Sequence, residues 1–112
     1  MSNVQKLNNK FCDEIKQIQI KHPDRIPVVV ALHKDCKINL TKFKYLVPRD
    51  LTYGQFLYVI RNKLKLSSST AIFMFFGDNL PYQTQKMSNI YDNYSSEDGF
   101  LRATITNENT FG

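Results

Sequence analysis

The chain ends in Thr106-Asn107-Glu108-Asn109-Thr110-Phe111-Gly112, and its last residue suggests acyl chemistry. A glycine carboxylate has no side chain beside it, so it can thread a narrow channel, be activated and pass to an amine without steric conflict at Cα. On this reading the chain donates a carboxyl and other proteins supply the catalytic groups. The residues that would signal an enzyme do not stand out. Cys12 and Cys36 form no C-x-x-C pair and have no evident partner base, and His22 and His33 have no zinc-type spacing relative to them. There is no G-x-S-x-G or P-loop motif, and no carboxylate pair can be placed for acid-base work. The residues therefore predict no enzyme activity, no cofactor, no metal site and no structural disulfide.

The elements that would carry such a tip fit one domain. A chain of 112 residues buries about two-thirds of its unfolded surface, enough for a core without staples. The longest apolar stretch, Ala71 to Phe76, is far short of the roughly 20 residues a membrane span needs. Met1-Ser2-Asn3-Val4-Gln5 has no signal-peptide core, so a cytoplasmic chain is expected. The net charge of +5 is uneven: residues 1–25 carry +2, residues 33–65 carry +6 and residues 66–112 carry −3. A basic stretch attracts anionic lipid, nucleic acid or acidic peptide alike, and charge alone does not choose among them. A lysine-rich face that is merely solvated fits equally well. No RNP-like aromatic pair or recognition-helix motif accompanies the stretch, so a nucleic-acid partner is not expected.

Along the chain, Lys10 to Lys21 places Phe11, Ile15 and Ile18 at helical spacing and stops before Pro23, which predicts an amphipathic helix. Ile26 to Leu32 reads as a largely buried strand. Lys42-Phe43-Lys44-Tyr45-Leu46-Val47 alternates as a second strand closed by Pro48, completing a hairpin. Thr52-Tyr53-Gly54-Gln55 is a capping box, with Leu51 placed to staple onto Phe56. Tyr53, Phe56, Leu57, Ile60 and Leu64 then form one helical stripe, and the serines 67–69 end the helix. Ala71 to Phe76 is a third strand and Gly77-Asp78-Asn79 a turn. Met87, Ile90, Tyr91 and Tyr94 predict a short cover helix, while Glu97 and Asp98 read as helix-ending and loop residues. Phe100 to Thr106 is a last strand, with Leu101, Ala103 and Ile105 facing inward. Tyr82, Tyr91 and Tyr94 read as packing residues with surface hydroxyls.

This order predicts an α+β fold, the ubiquitin-like β-grasp: a four-stranded mixed sheet with helices on one face, plus an N-terminal helical extension. The divisions are 1–24 for the extension, 25–106 for the β-grasp core and 107–112 for a flexible tail ending in the glycine.

Three stretches then carry a resemblance: Lys21 to Val28, Lys44 to Phe56 (KYLVPRDLTYGQF), and Glu97-Asp98-Gly99-Phe100-Leu101 running on to Phe111-Gly112. They resemble the autophagy ubiquitin-like modifiers, the light-chain-3 and GABARAP family (autophagy-related protein 8-like), from about Glu14 onward. The resemblance implies activation of Gly112 by an activating enzyme, transfer through a conjugating enzyme's cysteine, and amide linkage to phosphatidylethanolamine on autophagosomal membranes. It also implies a processing and deconjugating cysteine protease, cargo receptors as partners, and a monomer. Phe11-Cys12-Asp13 does not reproduce the family's Phe-x-x-Arg element, and the loop before Lys44 is one residue shorter. Lys63 stands where arginine is frequent, and it cannot make arginine's planar bidentate contact.

Lys44 to Val47 would be the edge strand, open to pairing with an extended peptide. The resemblance supplies two pockets beside it. Glu14, Ile18, Pro27, Val29, Lys44, Leu46 and Phe100 would take an aromatic anchor. Tyr45, Val47, Pro48, Leu51, Phe56 and Val59 would take an aliphatic one. Arg25, Lys42, Lys44 and Lys63 would attract acidic residues flanking the anchors. Burying each anchor yields roughly 1.5–3 kcal/mol, much of it offset by ordering the peptide, so about micromolar affinity is expected. Ile18, Val29, Leu46, Leu51, Phe56 and Val59 also fit a plain core, and a non-conjugated peptide-binding adaptor is the alternative function.

Overall fold

The computed structural model describes residues 11–32, 43–67 and 69–107. Helix α1 spans Asp13–Lys21, with Asp13 and Glu14 in its first turn and Lys21 in its last, the arrangement that complements the helix dipole. It starts at Asp13 because Cys12 already has extended dihedrals, and it ends at His22 before Pro23. Strand β1 (Arg25–Leu32) leads to β2 (Phe43–Pro48), its antiparallel partner. Pro48 belongs to β2 rather than following it, which an outer strand tolerates because a missing N–H breaks no ladder on the solvent side.

Helix α2 spans Tyr53–Leu64, and its start is a complete capping box. The Gln55 backbone N–H donates to Thr52 Oγ1 at 3.2 Å, and the Thr52 backbone N–H donates to Gln55 Oε1 at 3.0 Å. Two further donors of its first turn are taken by the loop that precedes the last helix: Tyr53 N–H donates to the Gln85 carbonyl (2.7 Å) and Gly54 N–H to that of Gln83 (2.9 Å). Strand β3 (Ile72–Phe75), helix α3 (Met87–Tyr94) and strand β4 (Leu101–Asn107) complete the order.

The sheet runs β2-β1-β4-β3, with β1 and β4 parallel at its centre and antiparallel strands outside them. This is the β-grasp arrangement. Strand alternation sorts the side chains into two layers. Ile26, Val28, Val30, Val47, Leu101, Ala103 and Ile105 form the main core with Tyr53, Phe56 and Ile60 of α2 and Met87 and Ile90 of α3. Pro27, Val29, Lys44, Leu46 and Arg102 occupy the opposite face by register. There α1 lies down: Ile15, fully buried, packs with Val29 and Phe100 into a second, smaller cluster. The core helices thus share one face as expected, and the N-terminal helix covers the other.

Two side-chain expectations are corrected. Tyr82, at 83% exposed, packs against little, whereas the Tyr91 hydroxyl donates to the Gly99 carbonyl at 2.7 Å. Asp98 does more than solvate a loop, as it accepts both guanidinium nitrogens of Arg102 at 2.9 Å.

Candidate functional site

Strand β2 lies at one outer edge of the sheet, with β1 on its inner side. Beside it, between β2 and α1, opens a hollow of about 480 Å³ lined by Glu14, Gln17, Ile18, Lys21, Pro27, Lys44, Tyr45, Leu46 and Phe100. Six of the seven residues assigned to the aromatic pocket line it, and the seventh, Val29, is buried in the cluster that also holds Phe100. Tyr45, of the second set, also borders the hollow although its ring packs on the other face, and Gln17 and Lys21 belong to neither set. The signal was available: 14, 17, 18 and 21 are i, i+3, i+4 and i+7, one face of α1.

The second set is distributed differently. Val47 (5% exposed) and Phe56 (0%) are core, and Tyr45 and Leu51 pack against that core. The Tyr45 and Phe56 rings meet edge to face with centroids 5.7 Å apart. Pro48 and Val59 stay exposed. Because residues 45 and 47 point to the α2 side of β2 while 44 and 46 point to the α1 side, the two sets lie on opposite faces of the sheet. Arg25 and Lys63 are exposed, Arg25 opposite Pro48 in the register and Lys63 in the last turn of α2. Lys42, Phe111 and Gly112 lie outside the described residues, as do His33 and Cys36.

Charge is concentrated around the Phe100 ring. Lys44 Nζ sits 5.1 Å from its centroid and donates to both Glu14 carboxylate oxygens, at 2.8 and 3.0 Å. The Arg102 guanidinium carbon is 5.7 Å from the same centroid. The hydrogen bonds from Arg102 hold the Asp98 carboxyl below its ordinary pKa, against a smaller opposing effect of burial, and Asp98 in turn raises that of Arg102. Asp98 also accepts the Phe100 backbone N–H at 3.1 Å, so the turn that presents the ring is braced at both ends. A second cleft of about 510 Å³, lined by Tyr58, Arg61 and the loop to β3, lies away from this edge. Among the described residues no three His, Cys, Asp or Glu side chains gather as a metal site, and no helix is long and apolar enough to cross a membrane.

The described fold and edge define a ubiquitin-like protein with an added helix over the far face of its sheet. The sequence model of the family described as "Autophagy protein Atg8 ubiquitin like" matches residues 10–112. Autophagy-related protein 8e of Arabidopsis thaliana is 46% identical, over 98% of this chain and 93% of its own length. Autophagy-related protein 8 of Schizosaccharomyces pombe is 51% identical, over 88% of this chain and 83% of its own. The crystal structure of Trypanosoma brucei ATG8 superposes with a TM-score of 0.81 at 31% identity, covering 91% of this chain and 88% of that one. The chain belongs to the Atg8 family of ubiquitin-like autophagy proteins.

Proposed function

We propose that this chain is a modifier joined through Gly112 to phosphatidylethanolamine on autophagosomal membranes, where it recruits cargo receptors and autophagy factors carrying short aromatic-x-x-aliphatic peptides. The observation that carries the peptide half of this reading is an outer strand flanked by apolar residues on both faces. A peptide added beyond β2 alternates its side chains across the sheet, so anchors reaching opposite faces must be an odd number of positions apart. Lys44 and Leu46 border the first hollow, and the second set extends to Pro48 and on to Leu51. The aliphatic anchor therefore lies further along β2, which favours three positions, about 10 Å, and a peptide running in the direction of β2.

The conjugation half rests on family membership and on the Phe111-Gly112 ending. An activating enzyme and a conjugating enzyme would supply the catalytic cysteines, and a cysteine protease would process the terminus and reverse the linkage. Two acyl chains then hold the protein stably where one chain would be marginal. The protein would pass from cytoplasm to autophagosome membrane on this step.

With both enzymes, ATP and phosphatidylethanolamine liposomes, the full chain should give a gel shift that is lost when Gly112 is deleted. An equal shift without Gly112, or none with it, rejects conjugation. Leu46→Arg places a charge on a residue that is 39% exposed at the hollow, so it should abolish peptide binding and leave thermal unfolding unchanged. Undiminished titration removes the pocket from the reading.

A further inference from the structure

An ion pair spans the walls of the hollow. Lys44 projects from β2 and Glu14 from α1, so their ion pair joins the two walls, and the ammonium lies over the Phe100 ring at the floor. An aromatic side chain that stacked on Phe100 from the mouth of the hollow would need the place the ammonium holds. Moving Lys44 aside breaks the contact with Glu14 and the cation-π contact together. Both side chains are about half exposed, 53% and 48%, so the pair is neither locked in the interior nor fully dissolved in solvent.

We propose that Glu14 and Lys44 form a latch that opposes insertion of the aromatic anchor, making Glu14 a residue that sets the threshold of the site rather than one that binds the peptide. This rests on the peptide reading above and goes beyond it. The occupant is an aromatic-anchored peptide with acidic flanks, because an anchor that stacks on Phe100 displaces Lys44 whatever its flanks, but only an acidic flank gives the released ammonium a new partner. Lys21 on the α1 wall and Arg25 at the start of β1 add to the positive rim. A neutral-flanked peptide opens the latch with no compensating contact, so the site discriminates against it even where its anchors fit.

The test is a cycle read by calorimetric titration at low salt. The probe is a short synthetic peptide with tryptophan and leucine three positions apart, flanked only by serine and glycine. Glu14→Gln and Lys44→Gln should each tighten its binding by about two- to five-fold, the range expected for a half-exposed ion pair. The double variant should gain no more than either single one, because each removes the same latch. With acidic flanks, Glu14→Gln should again tighten binding while Lys44→Gln should weaken it. At high salt the difference between wild type and Glu14→Gln should shrink as the pair is screened.

If Glu14→Gln weakens binding or leaves it unchanged, Glu14 is a contact or a bystander and the latch is wrong. Gains that multiply in the double variant overturn it as well. If none of the four proteins binds either peptide while Gly112 conjugation proceeds, the peptide site itself fails, and the latch with it.

Discussion

Replacing Gly99 by alanine should unseat α1 from the sheet. Gly99 has φ +97, a region that L side chains rarely adopt, and a Cβ built there would lie 2.6 Å from Ile15 Cγ2, 3.1 Å from Cγ1 and 3.2 Å from Cβ. Ile15 is fully buried and is the residue by which α1 enters the Val29 and Phe100 cluster. Two costs therefore combine. The backbone conformation costs about 1–2 kcal/mol for a residue with a Cβ, and forcing a methyl into packed side chains costs about 1–3 kcal/mol more. The total, about 2–5 kcal/mol, is a large share of the 5–15 kcal/mol that holds an ordinary domain together.

Gly77→Ala provides the control, because Gly77 has φ +64 but nothing within 4 Å of the added methyl. It should cost only the backbone part. Urea unfolding followed by circular dichroism reads both: Gly99→Ala should move the midpoint by about 1–3 M and Gly77→Ala by about 0.5–1 M, at equal m-values. Ile15→Ala removes the two nearest atoms and leaves only the Cβ at 3.2 Å, so adding Gly99→Ala to it should cost little more than the backbone part of about 1–2 kcal/mol, a measurable non-additivity. Equal midpoint shifts for Gly99→Ala and Gly77→Ala would refute the claimed contact and the seat of α1 with it. Since Glu14, Gln17 and Ile18 ride on that helix, Gly99→Ala should also weaken peptide binding more than Gly77→Ala does.

What was legible in the sequence was the pattern with a strong local cause. The capping box at Thr52 needs only its own four residues, so the start of α2 could be read to the residue. The alternation in Leu101 to Ile105 and the stripe from Tyr53 to Leu64 likewise declare which side is buried. The face on which α1 lies is a different kind of fact. It depends on Ile15 meeting Val29 and Phe100, residues far apart in the chain, and no periodicity within α1 specifies that partner. The residues of the hollow could be grouped because the resemblance carried Glu14 and Lys44 across as a set. Its ionic closure could not, since a lysine and a glutamate separated by 30 residues form a contact only once the hairpin and helix are in place. Asp98 and Arg102 sit four residues apart but span a turn and a strand, so helix-based spacing rules passed over them.

Two further substitutions test the elements that carry the site. Thr52→Ala removes one half of the capping box and should destabilise the domain by about 1 kcal/mol, with Thr52→Ser close to wild type in the same urea titration. Arg102→Ala should let the Asp98 carboxyl return toward its ordinary pKa, as followed by NMR of the side-chain carbonyl. The sign of the linked stability follows from the direction of the shift. Asp98 binds its proton more weakly when folded than when unfolded, so its pairing stabilises the protein fully above the ordinary aspartate value, about 4, and the contribution fades as pH falls through the lowered folded value. The stability gap between wild type and Arg102→Ala should therefore narrow on acidification below about pH 4. It should not close completely, because the contact between Arg102 and the Phe100 ring persists when Asp98 is protonated. A gap that is constant from neutral pH to pH values well below that range would mean that Arg102 acts through the ring alone, and that Asp98 has no part in bracing the floor of the hollow.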